Sequence, residues 1–217
     1  MSTCDWYLNN DSQVITKIVR VGSESQNELI ILRSLQSAGI PLFTKLVGYQ
    51  YCFHYFQNTE ISDGSAIKFQ LQYAGDTLSS WLQKKAPIVN FKSIIGNICI
   101  AVDYLTTMNI VHNDLNVSNI CIKYRNDMSG IINYNDKHFI ETFNEIPVLI
   151  DFGYSFKGKT NGTHDINKLV SNFIKYEKGR KVYRNFLNNL EICHYHPKTI
   201  LNEFYSVPKM CTIKFNY

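Results

Sequence analysis

The stretch "NFKSIIGNICIAVDYLTTMN" (90–109) constrains this chain more than any other. Phe91, Ile94, Ile95, Ile98, Ala101, Val102 and Leu105 recur at intervals of three and four, the period that gathers them on one face of an α-helix. A stripe this apolar has to be covered, so much of the chain must pack around it. Directly after it, "IVHNDLNVSNICI" (110–122) sets His112, Asp114 and asparagines between two apolar runs. A polar loop held at both ends in this way keeps its side chains in fixed positions.

The character of the chain changes near residue 76. Before it the pattern predicts strands: "QVITKIVRV" (13–21) is β-branched, "LFTKLVGYQYCFHYF" (42–56) is aromatic, and "AIKFQLQYA" (66–74) alternates. One helix interrupts them. It is expected to start near Ser25, where Ser25-x-x-Glu28 reads as a capping box, to carry Leu29, Ile31, Leu32 and Leu35 inward, and to stop at Gly39 and Pro41. No strand is expected before residue 13. After residue 76 helices dominate, apart from a strand pair, "NICIKY" (119–124) and "PVLIDFG" (147–153). The polar segment 125–146 between them reads as a long loop or excursion.

The second of these strands ends on Asp151, and Gly153 is expected to let the backbone turn just past it. Asp114, Asn119 and Asp151 can then converge in one cleft. Two carboxylates and an amide oxygen suit Mg2+, which takes a few such ligands and completes its shell with water and phosphate. Phosphoryl transfer needs little more from a protein than such positioning and charge neutralisation.

With these residues in view, "HNDLNVSN" resembles the protein-kinase catalytic loop HRDLxxxN, and "IDFG" resembles the metal-binding DFG of the same family. The similarity runs from about residue 13 to about residue 170. It implies an α+β, two-lobed protein-kinase-like fold. A reduced N-terminal β lobe (1–75, hinge near 72–76) would be joined to a mainly helical C-terminal lobe (77–217) in a single domain. It implies Asp114 as catalytic base, Asn119 and Asp151 as magnesium ligands, and His112 as a brace for the loop. Lys17 in "VITKIV" would contact the α- and β-phosphates of ATP, with Glu28 as its partner. Gln72, Tyr73 and Ala74 would receive adenine through the backbone, and Asp165 in "HDINKL" would tie down the catalytic loop.

Several positions depart from the family pattern. No GxGxxG precedes Lys17, Asn113 stands in place of arginine, and no APE follows the short stretch 153–165. Asn116 occupies the position where protein Ser/Thr kinases usually carry a lysine. The tail 171–217 is short for a full helical substrate platform. Such a reduced form resembles atypical and viral kinases, and the Asn, Ile, Lys and Tyr usage suits an AT-rich genome. Three functions stay open: an ATP- and Mg2+-dependent Ser/Thr protein kinase, a pseudokinase that engages a partner kinase or its substrate, and a small-molecule kinase of the choline or aminoglycoside type.

Composition excludes other classes. A net charge of +4 from 22 basic and 18 acidic residues falls short of a dedicated nucleic-acid binder. The basic run "KYEKGRKVYR" (175–184) reads as a solvated helix face, and "CHYH" (193–196) has no second ligand pair to make a zinc site. Six cysteines lack paired short spacings. The start has no signal-peptide pattern, and no apolar stretch is expected to reach the roughly 20 residues of a membrane span. Together these predict an intracellular, cytoplasmic protein, and the sequons at Asn116 and Asn161 read as chance matches.

Overall fold

Two short strands open the described chain. β1 (Cys4–Asn9) and β2 (Val14–Arg20) run antiparallel, with Trp6 opposite Lys17 and Tyr7 opposite Thr16. β1 departs from the sequence expectation that no strand precedes residue 13. Six residues suffice here because β2 is already paired along its other edge, so β1 adds one ladder to a formed partner. This computed structural model describes residues 4–9, 13–54, 64–84, 87–133, 139–176 and 181–205. The end of the expected strand 42–56 and residues 177–180 of the basic run lie outside them.

Helix α1 (Ser23–Ala38) starts earlier than the sequence predicts. Gly22 is the N-cap and Ser25 is the residue that reaches back: its Oγ accepts from Gly22 N–H at 2.9 Å. Glu28 is therefore free of any capping role. Leu29, Ile31, Leu32 and Leu35 are buried as expected, and Gly39 closes the helix in the left-handed region at φ 67°. β3 (Leu46–His54) and β4 (Gly64–Gln72) complete an antiparallel sheet in the order β1-β2-β4-β3, leaving β3 on an edge. Along that edge Val47, Tyr49, Tyr51 and Phe53 stand exposed.

Past the linker 73–75 come β5 (Asp76–Thr77), α2 (Leu78–Gln83) and α3 (Ile88–Thr107). Gly75 sits at φ 92° against β7 (Ile120–Asn133), where a Cβ would lie 2.1 Å from the Ile122 carbonyl oxygen, so no side chain fits there. α3 was expected to bury one face, yet every residue from 93 to 102 is buried. Asn97 donates its amide nitrogen to Ser93 O on its own helix, while its Oδ1 is buried without a hydrogen-bond partner. Each fully enclosed isoleucine, such as Ile94 and Ile98, contributes about 1.5–3 kcal/mol.

α3 has 20 residues, and an 18-residue window of it has a mean hydropathy of 1.4, which by length and composition alone is enough to cross a membrane. In this fold 67% of the window is buried against the chain's own elements.

Those elements follow in order: β6 (Ile110–Val111), β7, β8 (Phe139–Leu149), β9 (Phe156–Lys157), α4 (Thr163–Tyr176), α5 (Lys181–Ile192) and α6 (Pro197–Tyr205). The segment 125–146 is mostly strand rather than loop, since β7 and β8 pair antiparallel across it with a register shift between Tyr124 and Ser129. Phe91 of α3 stacks on Tyr183 at 4.2 Å and meets Phe173 edge-on at 5.3 Å, which joins α4 and α5 to the core. Gly162 precedes α4 at φ 77°; a Cβ there would lie 2.7 Å from Pro197 and 2.8 Å from Val102, so it lets the start of α4 close onto α3 and α6. Among the described residues the protein is thus α+β, with three small antiparallel sheets and six helices.

A short crossing ties the first sheet to the rest. Thr44 N–H donates to Leu149 O and Leu149 N–H to Leu42 O, both at 2.9 Å, and Phe43 packs edge-on against Phe152. This brings the end of β8 beneath α1 and β2.

Candidate active site

Lys17 points from β2 into the interior and is 3% exposed. Its ammonium meets Glu28 of α1 at 2.7 and 2.9 Å and Asp151 Oδ1 at 2.6 Å. Two carboxylates, from the helix and from the turn after β8, thus share one buried cation from the strand. Burial alone pulls the Lys17 ammonium down, but the charges of Glu28 and Asp151 outweigh it and hold its pKa above the ordinary lysine value. Burial pushes the Glu28 carboxyl up, and Lys17 offsets this only in part.

Asp151 is where the backbone turns. Its φ is 60°, a left-handed conformation that costs a non-glycine residue energy and tends to be retained at functional sites. The sequence assigned the turn to Gly153; that glycine instead lines the triad, where a Cβ would approach Asp151 Oδ1 at 3.4 Å and Glu28 Oε2 at 3.6 Å. Phe152 is fully buried and anchors the turn against the His112 ring at 4.8 Å. The Asp151 side chain stays 33% exposed, so one face of the cluster opens outward.

The loop 112–119 is fixed from several directions. Asp165, 1% exposed near the start of α4, accepts from the backbone N–H groups of His112 at 3.0 Å and Asn113 at 2.8 Å. Ser155 Oγ donates to His112 O, and the Asn27 side chain of α1 donates to Ser155 O. His112 Nε2 lies 3.1 Å from Ile150 O; a carbonyl only accepts, so Nε2 carries the proton and the buried Nδ1 is left bare. Burial pushes this imidazole below its usual pKa, against the opposing pull of Asp165.

Asp114 is held by its neighbours. Asn119 Nδ2 donates to Asp114 Oδ2 and to Asp114 O, both at 2.9 Å, and Lys168 of α4 lies 3.1 Å from Asp114 Oδ1. Asn116 spends its amide on the loop itself, accepting from Ser118 N–H and Asn119 N–H and donating to Asp114 O. Asn119 O in turn accepts from Ile150 N–H at 3.0 Å. The residue before Asp151 therefore bonds to both ends of the loop, and the two acidic clusters are neighbours along one backbone ladder.

These donors suit a hard cation. The Lys17–Glu28–Asp151 cluster carries two carboxylates against one ammonium, an excess of negative charge that a divalent ion would offset. Asn119 commits its nitrogen to Asp114, which leaves its amide oxygen as the free end. Among the described residues no group of three His, Cys, Asp or Glu side chains could hold a metal, and Cys193 of the "CHYH" stretch is buried in the core. An oxygen set of Asp151 with Asn119 is the smaller kind of set that Mg2+ takes alongside phosphate and water.

The linker residues come out less uniformly. Gln72 N–H donates to Lys45 O and Tyr73 N–H to Gln13 O, so their amides are spent within the protein. Ala74 remains the expected adenine contact whose N–H is not used in those bonds. All three line a cavity of about 290 Å3 with Gln36, Thr44 and Lys123, and neither Lys17 nor Asp151 borders it. Sequence reasoning missed Lys168 and Ser155 as parts of the site. Lys168 carried a usable signal, since it falls three residues after Asp165 and so shares its helix face.

No model of a known protein family matches the chain, and no curated protein matches it.

Proposed function

We propose that the chain is a magnesium-dependent phosphotransferase that moves the γ-phosphoryl group of ATP to a hydroxyl, with a protein Ser/Thr side chain as the acceptor. On this reading it is one protein-kinase-like domain, with a β-rich lobe up to the linker at 72–76 and a helical lobe after it. The observation that carries the reading is the buried Lys17–Glu28–Asp151 cluster beside Asp114 and Asn119. A buried charge cluster is a weak source of stability, because desolvation offsets much of the attraction. That one of its members, Asp151, is an aspartate in a left-handed conformation favours a catalytic use.

The geometry supports the following roles. Glu28 holds Lys17 so that its ammonium can meet phosphate oxygens at the place it now shares with Asp151. Asp151 and the Asn119 amide oxygen would hold the metal. Bound there, Mg2+ would neutralise phosphate charge and fix the nucleotide's orientation. Asp114, held by the Asn119 amide, accepts a hydrogen bond from the acceptor hydroxyl and takes its proton as the phosphoryl group transfers. Asp165 and His112 keep Asp114 in register by fixing the loop on either side.

The test is transfer of label from γ-labelled ATP with Mg2+ into the protein itself and a generic protein substrate, beside Asp114→Asn. Transfer by the wild type and its loss in the variant, with Mg-ADP binding kept, is the expected result. Nucleotide binding with no transfer to any acceptor would turn the reading into a binding module. Transfer to small alcohols but never to protein would replace the acceptor class.

A further inference from the structure

We infer that Lys168 is the cation that meets the transferring phosphoryl group, supplied from helix α4 rather than from the loop that carries Asp114; the inference rests on the phosphotransferase reading. Three observations point to it. Its ammonium lies 3.1 Å from Asp114 Oδ1 and donates to Asn113 O at 2.6 Å, which places it at the acidic end of the site. Its side chain is 39% exposed and that of Asp114 32%, so both open to solvent where an acceptor would arrive. An ion pair that exposed adds little to stability.

The third observation is what the loop itself lacks. Asn116, two residues after Asp114, has its amide oxygen and nitrogen committed to loop backbone and brings no charge. Lys17 is buried on the other side with Glu28 and Asp151. Helix α4 makes up the difference from one face, with Asp165 fixing the loop backbone and Lys168 reaching the carboxylate three residues further on. In the transfer, the acceptor oxygen forms a bond to the γ-phosphorus while the bond to the β,γ-bridging oxygen breaks. The bond's electron pair leaves on ADP, and the hydroxyl proton passes to Asp114. Lys168 stands where charge builds on the oxygens of the group in flight, and an aligned cation there lowers the barrier.

The experiment compares Lys168→Met, Lys168→Arg and Lys168→Met with Asn116→Lys in one chain, measuring kcat, KM for ATP, Mg-ADP binding and melting temperature. Lys168→Met should lower kcat by about 10²–10³-fold with KM and Mg-ADP binding unchanged. Lys168→Arg should retain most of the rate, and the double variant should recover a large part by returning an ammonium from the loop. A wild-type kcat for Lys168→Met, with Asp114→Asn still inactive, overturns the assignment and leaves the phosphotransfer reading standing. A loss with a lower melting temperature and no recovery in the double variant overturns it too, by making Lys168 a loop brace alone. No transfer by the wild type overturns both.

Discussion

Removing the Asp165 carboxylate is the sharpest test of how the candidate site is held. Two backbone N–H groups, from His112 and Asn113, reach its separate oxygens at 3.0 and 2.8 Å in a setting 1% exposed to solvent. Hydrogen bonds to a charged acceptor contribute about 1.5–3 kcal/mol each, and Asp165→Ala would leave the buried His112 donor and the part-buried Asn113 donor without this partner. Discounting for the relieved burial of the carboxylate gives a loss of about 3–5 kcal/mol, a large share of a typical stability of about 5–15 kcal/mol. Asp165→Asn should lose nearly as much, because one end of the amide would present N–H to N–H. Urea unfolding reads this directly as a lower midpoint at an unchanged slope. A shift below about 1 kcal/mol for Asp165→Ala would refute the claim that this carboxylate holds the loop.

Three further outcomes are expected. Lys17→Met should destabilise by about 3–5 kcal/mol, since the buried Glu28 and the part-exposed Asp151 would be left without their cation, and adding Glu28→Met should restore part of the loss in thermal unfolding. His112 is held neutral below its usual pKa of 6.5, so the unfolded chain takes up the proton first; its contribution is complete above about pH 6.5 and is lost as pH falls below it. The slope is at most about 1.4 kcal/mol per pH unit, and His112→Gln should flatten it in parallel urea titrations between about pH 5 and 7, isolating His112 from the opposite trend of Glu28. A chelator that strips Mg2+ should abolish transfer while leaving the melting temperature of the nucleotide-free protein in place.

Much of the scaffold could be read in the sequence because it is written in short-range patterns. The period of Phe91 to Leu105 gave α3, and the apolar runs around His112 and Asp151 gave a loop and a turn at the right places. Other features depend on partners far along the chain. β1 exists because β2 offers it an edge, and β8 pairs back along β7 through a segment that looks like a polar loop. Glu28 looked like a capping residue because serine three positions earlier fits that motif, but Ser25 caps from inside the helix, and the decision lay with Gly22 upstream. The Asp114–Lys168 pair joins residues more than fifty positions apart, so only the docking of α4 on the loop reveals it.

The contact between Lys17 and Asp151 spans 134 residues. A ribosome adding roughly 5–20 residues per second takes about 7–27 s to make that stretch. For that interval the emerging chain holds Lys17 and Glu28 but not the carboxylate that completes the cluster. The first sheet must therefore mature with an ammonium and a carboxyl that are not yet enclosed, and the site closes only after β8 has been made. Closing so long a loop comes late in folding. A chain cut short by arrest or proteolysis anywhere before Asp151 would then expose a charged, half-finished interior, which sets it apart from the finished protein for the cell's chaperones and proteases.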